Sequence, residues 1–441
     1  MKVVHVLNHF LPQQIAGTEI YTEALVKGLQ NNGIDSFVLI PNFGKTVNEV
    51  YIHDGIRVVK YAEPSVIDRS LIMGFSTPKG LQYFKEILEE EKPDIIHFQE
   101  LAGSNGITIS HVLAAKAAGF KIVMTFHLSF YSCKTGNLMY KDKDFCDGVI
   151  NIKKCTECYF YTTKNNTYIS NFLKPFSNFI FKTGIDVSKW KNKFGTALGF
   201  PFVIQKFQDN LFLLANVADQ IVVLTDWYQK ILLANQLPVN KISVIKQALP
   251  IIAIPKISIQ AKNKIGLNII FLGRISKFKG LDLLINAVKN IKGNVQLDIY
   301  GQESDMPYLA KCKALSEGMN NIFWKGILHP GEVTNSIARY DILCLPSTFS
   351  EMSPLVIQEA FAANTPVVAS NVYGNSEQIS DGENGWLFKF KDSNSLCSVL
   401  QNLINNPHLI DVAKTKIPNV KSFSTVAEEY IKLYEKILVS T

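Results

Sequence analysis

Short apolar runs alternate along the chain with stretches whose apolar positions recur at helical spacing. Runs at 3–7, 37–40, 94–98 and 121–126 predict strands, and 19–30, 78–90 and 104–118 predict helices. A strand at 221–224, a helix at 227–234 and a strand at 242–245 complete a first unit. The rhythm begins afresh at Asn268, with strands at 269–272, 295–300, 321–324, 342–345 and 367–369 and helices at 281–289, 306–315 and 355–363. Strands that are apolar throughout belong in a sheet covered on both faces, and strand–helix alternation makes such a sheet parallel. The pattern therefore predicts an α/β chain of two Rossmann-like doubly wound domains, 1–250 and 251–422, facing across a cleft at the C-terminal ends of their strands, where open α/β sheets bind ligands.

Two segments stand outside that rhythm. Residues 128–199 are rich in Lys, Asn and Phe and hold four of the seven cysteines, which marks an insertion in the first domain. The segment 423–441 carries a last helix at 426–438, whose apolar positions Ala427, Tyr430, Ile431, Tyr434 and Ile437 suit packing back onto the first domain. A linker is expected at 247–265, with Pro250 and Pro255.

Composition narrows the class. The chain has 441 residues, 47% apolar and 19% charged, which excludes a disordered chain and supplies two cores. No apolar run approaches the ~20 residues of a bilayer span, and the N-terminus has no secretory pattern, so a cytoplasmic protein is expected. The net charge of +7 rests almost wholly on Lys; Arg57, Arg69, Arg274 and Arg339 are the only arginines. Without a block of like charges a nucleic-acid partner is not expected. The excess fits either a generally Lys-rich surface or a peripheral contact with an anionic membrane, which would be its inner face.

Candidate chemistry collects at strand ends. Ala16-Gly17-Thr18-Glu19 opens the first helix, so free N–H groups near Gly17 can meet a phosphate or an acceptor oxygen, although a lone glycine at such a turn is also an ordinary structural device. No glycine triplet of the dinucleotide-binding type follows the first strand. In the second domain, strand 269–272 runs into Gly273-Arg274-Ile275-Ser276-Lys277-Phe278-Lys279-Gly280. A guanidinium fork and an ammonium there suit a diphosphate; the plainer reading is two exposed cations. Pro346-Ser347 opens a third segment, in which Glu351 precedes the helix starting near Leu355 and Glu359 lies about one turn inside it. Both carboxylates can accept hydrogen bonds from sugar hydroxyls, and the N–H groups of Leu355 and Val356 can meet phosphate oxygens. Taken alone, Glu359 is equally a solvated helix charge and Glu351 a partner of the helix dipole.

These residues carry a resemblance. Glu351 and Glu359, separated by seven residues after Pro346-Ser347 and followed by Thr365-Pro366-Val367-Val368-Ala369-Ser370, resemble the signature of the retaining group 1 (family 4) glycosyltransferases of the GT-B fold. Gly374, Glu377, the run Asp381-Gly382-Glu383-Asn384-Gly385 and the 273–280 loop add to it. The resemblance implies that Glu359 holds the ribose hydroxyls of a nucleotide-sugar donor, Glu351 the transferred sugar, and Arg274 and Lys279 the departing diphosphate. It places the base near 325–328, with Leu328 at the end, and assigns His127 a contact with the donor sugar. It further implies a carbohydrate or lipid-linked acceptor, a role in cell-surface polysaccharide or glycolipid synthesis, and no cofactor needed for catalysis. Three departures stand out: Ala16 in place of the usual first glycine, Met352-Ser353-Pro354 after Glu351, and Gln247-Ala248 after the last strand of the first domain.

Rival uses of the same fold are a GT-B-like epimerase or phosphorylase and a non-catalytic sugar-nucleotide-binding protein. Cys133, Cys146, Cys155 and Cys158 fall within 26 residues, and thiolates at that spacing suit a structural zinc. Reduced free thiols, a disulfide or a cluster are the alternatives.

Overall fold

The computed structural model describes residues 1–65, 71, 76–101, 106–163, 167–190, 195, 198–250 and 266–439. Most of the expected linker, 251–265, and the first two positions of the expected helix 104–118 lie outside these residues. The chain divides into two compact units, 1–246 with 423–441, and 247–422.

In chain order the strands of the first unit are β1 (Lys2–Val6), β2 (Asp35–Phe43), β3 (Glu49–His53), β4 (Ile56–Glu63), β5 (Ile95–Phe98), β6 (Lys121–Phe126), β7 (Met139–Tyr140), β8 (Asp144–Phe145), β9 (Gln220–Val223) and β10 (Ile242–Val244). Eight of them form one sheet in the order β10-β9-β6-β5-β1-β2-β4-β3. All neighbours are parallel except β3, which closes the edge antiparallel to β4. Val4 sits between Phe37 and Ile96, and Val3, Val4 and Val6 are wholly buried, as apolar strands covered on both faces must be. The chain leaves β1 in one direction to β2 and returns on its other side at β5, so the sheet is doubly wound about β1.

The helix Phe423–Val439 belongs to this first unit. It lies against the helix Gly17–Asn31 so closely that a Cβ on Gly28 would stand 2.7 Å from the Ala427 Cβ. Its buried tyrosines are tied to the sheet: Tyr21 donates to the Tyr430 hydroxyl at 3.1 Å, Thr125 Oγ1 meets Tyr430 at 2.8 Å, and His97 Nδ1 meets the Tyr434 hydroxyl at 2.7 Å. The insertion, weakly patterned in the sequence, holds a short β7–β8 hairpin and the helices Ile152–Thr163 and Thr167–Thr183, followed by the helix Phe200–Val217. Among the described residues no helix is long and apolar enough to cross a membrane.

The second unit is a wholly parallel sheet of β11 (Leu267–Leu272), β12 (Val295–Tyr300), β13 (Ile322–Gly326), β14 (Ile342–Leu345), β15 (Val367–Ser370) and β16 (Gly385–Phe388), in the order β13-β12-β11-β14-β15-β16. Ile269, Phe271, Leu297 and Ile342 are fully buried in its core. Strand order reverses between β11 and β14, and the loops leaving those two strands hold the Gly273–Gly280 and Pro346–Pro354 residues. Chain topology alone thus sets these two segments side by side.

Candidate active site

Close backbone packing locks the two loops together in the second unit. Gly280 has φ of +65°, and a Cβ there would stand 1.9 Å from the Pro346 carbonyl oxygen, so the left-handed turn and the close approach both require glycine. Thr348 stitches the contact, its N–H donating to Phe278 O at 2.8 Å and its hydroxyl to Lys277 O at 2.7 Å. Lys279, turned inward by this arrangement, places Nζ 2.6 Å from Glu351 Oε1. The Ser347 hydroxyl donates to the same oxygen, also at 2.6 Å. Glu351 is therefore buried with one carboxyl oxygen shared between an ammonium and a hydroxyl. Behind it, a Cβ on Gly374 would come within 2.3 Å of Glu351 O, so the short helix Tyr373–Ser376 seats directly on this backbone.

Arg274 projects exposed from the same loop and makes no ion pair among the described residues. Pro354 caps the helix Leu355–Ala362 without a side-chain bond, leaving the N–H groups of half-buried Leu355 and Val356 at its open end. Glu359 lies one turn further on, and burial pushes its carboxyl up to about 7. Leu328 follows β13 and packs half-buried against the β11–β14 core. The unit thus carries Arg274 and Lys279 on the loop leaving β11 and Glu351, Leu355, Val356 and Glu359 on the loop and helix that follow β14, with Lys279 and Glu351 in direct contact. In the sequence Ser347 is only part of the Pro-Ser opening, and its grip on Glu351 appears only in the structure. Ser350 is a further addition: its buried hydroxyl has no partner among the described residues.

Gly17 and His127 belong to the first unit, at the ends of β1 and β6. Gly17 is exposed, and a Cβ there would meet nothing within 4 Å. Glu19, in the first turn of its helix, is buried: Oε1 accepts from Gln14 Nε2 at 2.7 Å, while Oε2 has no partner among the described residues. Burial raises its carboxyl above the ordinary value. His127 donates from Nε2 to Gln99 Oε1 at 2.8 Å, and Tyr21 packs edge-on to its ring at 4.7 Å. Burial lowers the imidazole to about 3, so it is neutral at working pH. No spacing in the sequence marks Gln99 as its partner.

Cys133, Cys146, Cys155 and Cys158, on which a structural zinc is expected, form no disulfide and lie near enough for their charges to act on one another. Among the described residues no group of three or more His, Cys, Asp or Glu side chains has the geometry of an ion site. Cys158 is occupied by the β7–β8 hairpin: its thiol donates to Met139 O at 3.4 Å and accepts from the Lys141 N–H at 3.2 Å. Asp142 and Asp144 lie in the same hairpin of the first unit.

The sequence and the fold both have relatives. The model of glycosyl transferases group 1 matches residues 255–419, and that of glycosyltransferase family 4 matches 15–152. A phosphatidyl-myo-inositol mannosyltransferase of Mycobacterium leprae is 28% identical over 184 residues, 40% of this chain and 48% of that protein. The chain thus spans about half the length of this curated relative. Among solved structures, Anabaena Alr3699/HepE in complex with UDP-glucose has a TM-score of 0.58 at 13% identity over 99% of this chain and 98% of that one. Sucrose-phosphate synthase from Thermosynechococcus elongatus has a TM-score of 0.65 at 14% identity over the whole of both chains. With two family models side by side along its length and this fold, the chain belongs to the group 1 (family 4) glycosyltransferases of the GT-B fold.

Proposed function

We propose that the chain is a retaining, metal-independent glycosyltransferase that moves a sugar from a nucleotide-diphosphate sugar to the hydroxyl of a carbohydrate or lipid-linked acceptor. The observation that carries this reading is the buried Lys279–Glu351 pair at the switch point between β11 and β14, on the same two segments that carry Arg274 and Glu359. The UDP-glucose complex of the Anabaena neighbour supports the donor class, and the phosphatidyl-myo-inositol acceptor in the name of the mycobacterial relative supports a lipid-linked acceptor.

Chemically, the bond from the anomeric carbon to the diphosphate oxygen breaks and a bond to the acceptor oxygen forms on the same face. The acceptor proton passes to the departing phosphate oxygen, so no protein base is needed. Arg274 and Lys279 neutralise the charge growing on that oxygen, together with the N–H groups at Leu355 and Val356. This compensation supports independence from a metal. Glu359 accepts from the ribose hydroxyls and Glu351 from the transferred sugar, while the base lies toward Leu328. His127, as a neutral imidazole, suits a hydrogen bond to a donor hydroxyl, and Gly17 offers its open helix end to the acceptor.

Purified protein offered a panel of nucleotide sugars with candidate acceptors tests the reading. Transfer with retained anomeric configuration is expected, with Glu359→Ala weakening donor binding and Glu351→Ala lowering turnover more than binding. Unaltered transfer in both variants would overturn it. Product formed without an acceptor hydroxyl would point to an epimerase, and donor binding with neither transfer nor slow hydrolysis to a binding protein.

A further inference from the structure

Charge and exposed aromatic surface fall in one place. Residues 128–199 carry eleven lysines against five acidic residues, a net +6 out of the chain's +7. The same segment holds five of the seven exposed Phe and Trp side chains among the described residues. The helix Thr167–Thr183 sorts its faces clearly. Ser177 is fully buried and its hydroxyl donates to Leu198 O at 3.0 Å, while the Phe181 ring packs 4.9 Å from Phe202. On the opposite side Phe176 is 53% and Phe179 68% exposed, with Lys182 beside them. The chain beyond this helix continues the pattern with Ile185, 60% exposed, Lys189, and Trp190, 51% exposed. Asp186, the only acid between 175 and 190, accepts from the Ser188 N–H at 3.0 Å and lies 4.0 Å from the Lys189 ammonium, which stays 68% exposed.

Exposed aromatics of this size are costly in water, and a row of them flanked by lysines is the composition that settles at the boundary between headgroups and acyl chains. We infer that this face, Phe176, Phe179, Lys182, Ile185, Lys189 and Trp190, docks the protein on an anionic lipid surface. Rings enter the interface while the ammonium groups lie among lipid phosphates. Such docking would hold the enzyme where a lipid-linked acceptor lies, yet the surface binds lipid whether or not the proposed transfer reaction is correct.

The test is co-sedimentation of the full chain with phosphatidylcholine vesicles, with and without phosphatidylglycerol, in the absence of donor and acceptor. Binding is expected only with phosphatidylglycerol, falling as salt is raised. The pair Lys182→Glu and Lys189→Glu should lower the partition coefficient about thirtyfold or more. Phe179→Ser with Trp190→Ser should abolish what remains at moderate salt, and unchanged thermal unfolding of both exposed-face variants separates docking from folding. Absence of binding to anionic vesicles, or equal binding by all variants, overturns the inference. Self-association of the parent that disappears in Phe179→Ser with Trp190→Ser also overturns it, by assigning the face to a second copy of the chain.

Discussion

Lys279 and Glu351, 72 positions apart in the chain, meet at 2.6 Å with only 17% and 8% of their side chains exposed. The pair sits in the proposed diphosphate and sugar sites at once, so each group is oriented before a donor arrives. Removing Lys279 strands a buried carboxylate that Ser347 alone must satisfy. Lys279→Ala should cost about 3 kcal/mol of stability, and Glu351→Gln less, because the amide oxygen still accepts from Ser347. Denaturant unfolding of both singles and the double should show a coupling of about 1–3 kcal/mol; strict additivity would remove the pair from the account.

Glu359 opposes stability and function. Its folded carboxyl lies near 7, above the unfolded value, so the folded state holds a proton that the unfolded chain has already released, and stability falls as pH rises from about 4.5 to about 7. Glu359→Gln should therefore raise stability at pH 8 by about 1–3 kcal/mol while weakening donor binding. In the parent, donor affinity should rise as pH passes upward through about 7, because the carboxylate is the better acceptor for ribose hydroxyls. Isothermal titration at several pH values reads this directly.

Buried histidines act with the opposite sign. His5, His111 and His127 are lowered to about 3 by burial, and His97 is also well below its ordinary value for the same reason first. Below their unfolded value each takes up a proton only on unfolding, so stability is lost as pH falls. Four such groups give roughly 5 kcal/mol per pH unit at the steepest, below about pH 6. Urea midpoints at pH 7 and pH 5 should differ accordingly, and no histidine of this set should titrate by NMR between pH 5 and 8 in the folded chain.

Gly280 admits little else. A substitution to Ala meets both the positive φ and the Pro346 oxygen, so a loss of about 2–4 kcal/mol is expected from strain and from displacement of the loop that carries Glu351. Gly17→Ala, at an exposed position with open space around the missing Cβ, should leave the melting temperature nearly unchanged. Paired thermal unfolding of the two variants checks the contrast.

Much of the second unit was legible in the sequence because its signals are local. Apolar strands such as 342–345 end at Pro346, and Glu351, Pro354 and Glu359 follow within fourteen positions of that strand. The Lys279–Glu351 pair was not legible, since neither spacing nor composition reveals which distant side chains meet. β3 and β4 were missed: β3 is a largely exposed edge strand, and Arg57, Lys60 and Glu63 interrupt the apolar run of β4. The helices within 128–199 were hidden by Lys, Asn and Phe, whose exposed rings blur the amphipathic period. For the final helix, spacing revealed the buried stripe, but the bonds of Tyr430 and Tyr434 to Thr125 and His97 depend on contacts more than 300 positions distant.

That last helix also fixes an order of events. The seam between Gly28 and Ala427 joins segments that lie on either side of the second unit, which is synthesised between them. On the ribosome the first sheet must therefore wait, one flank uncovered, until residues 423–439 emerge behind the second unit.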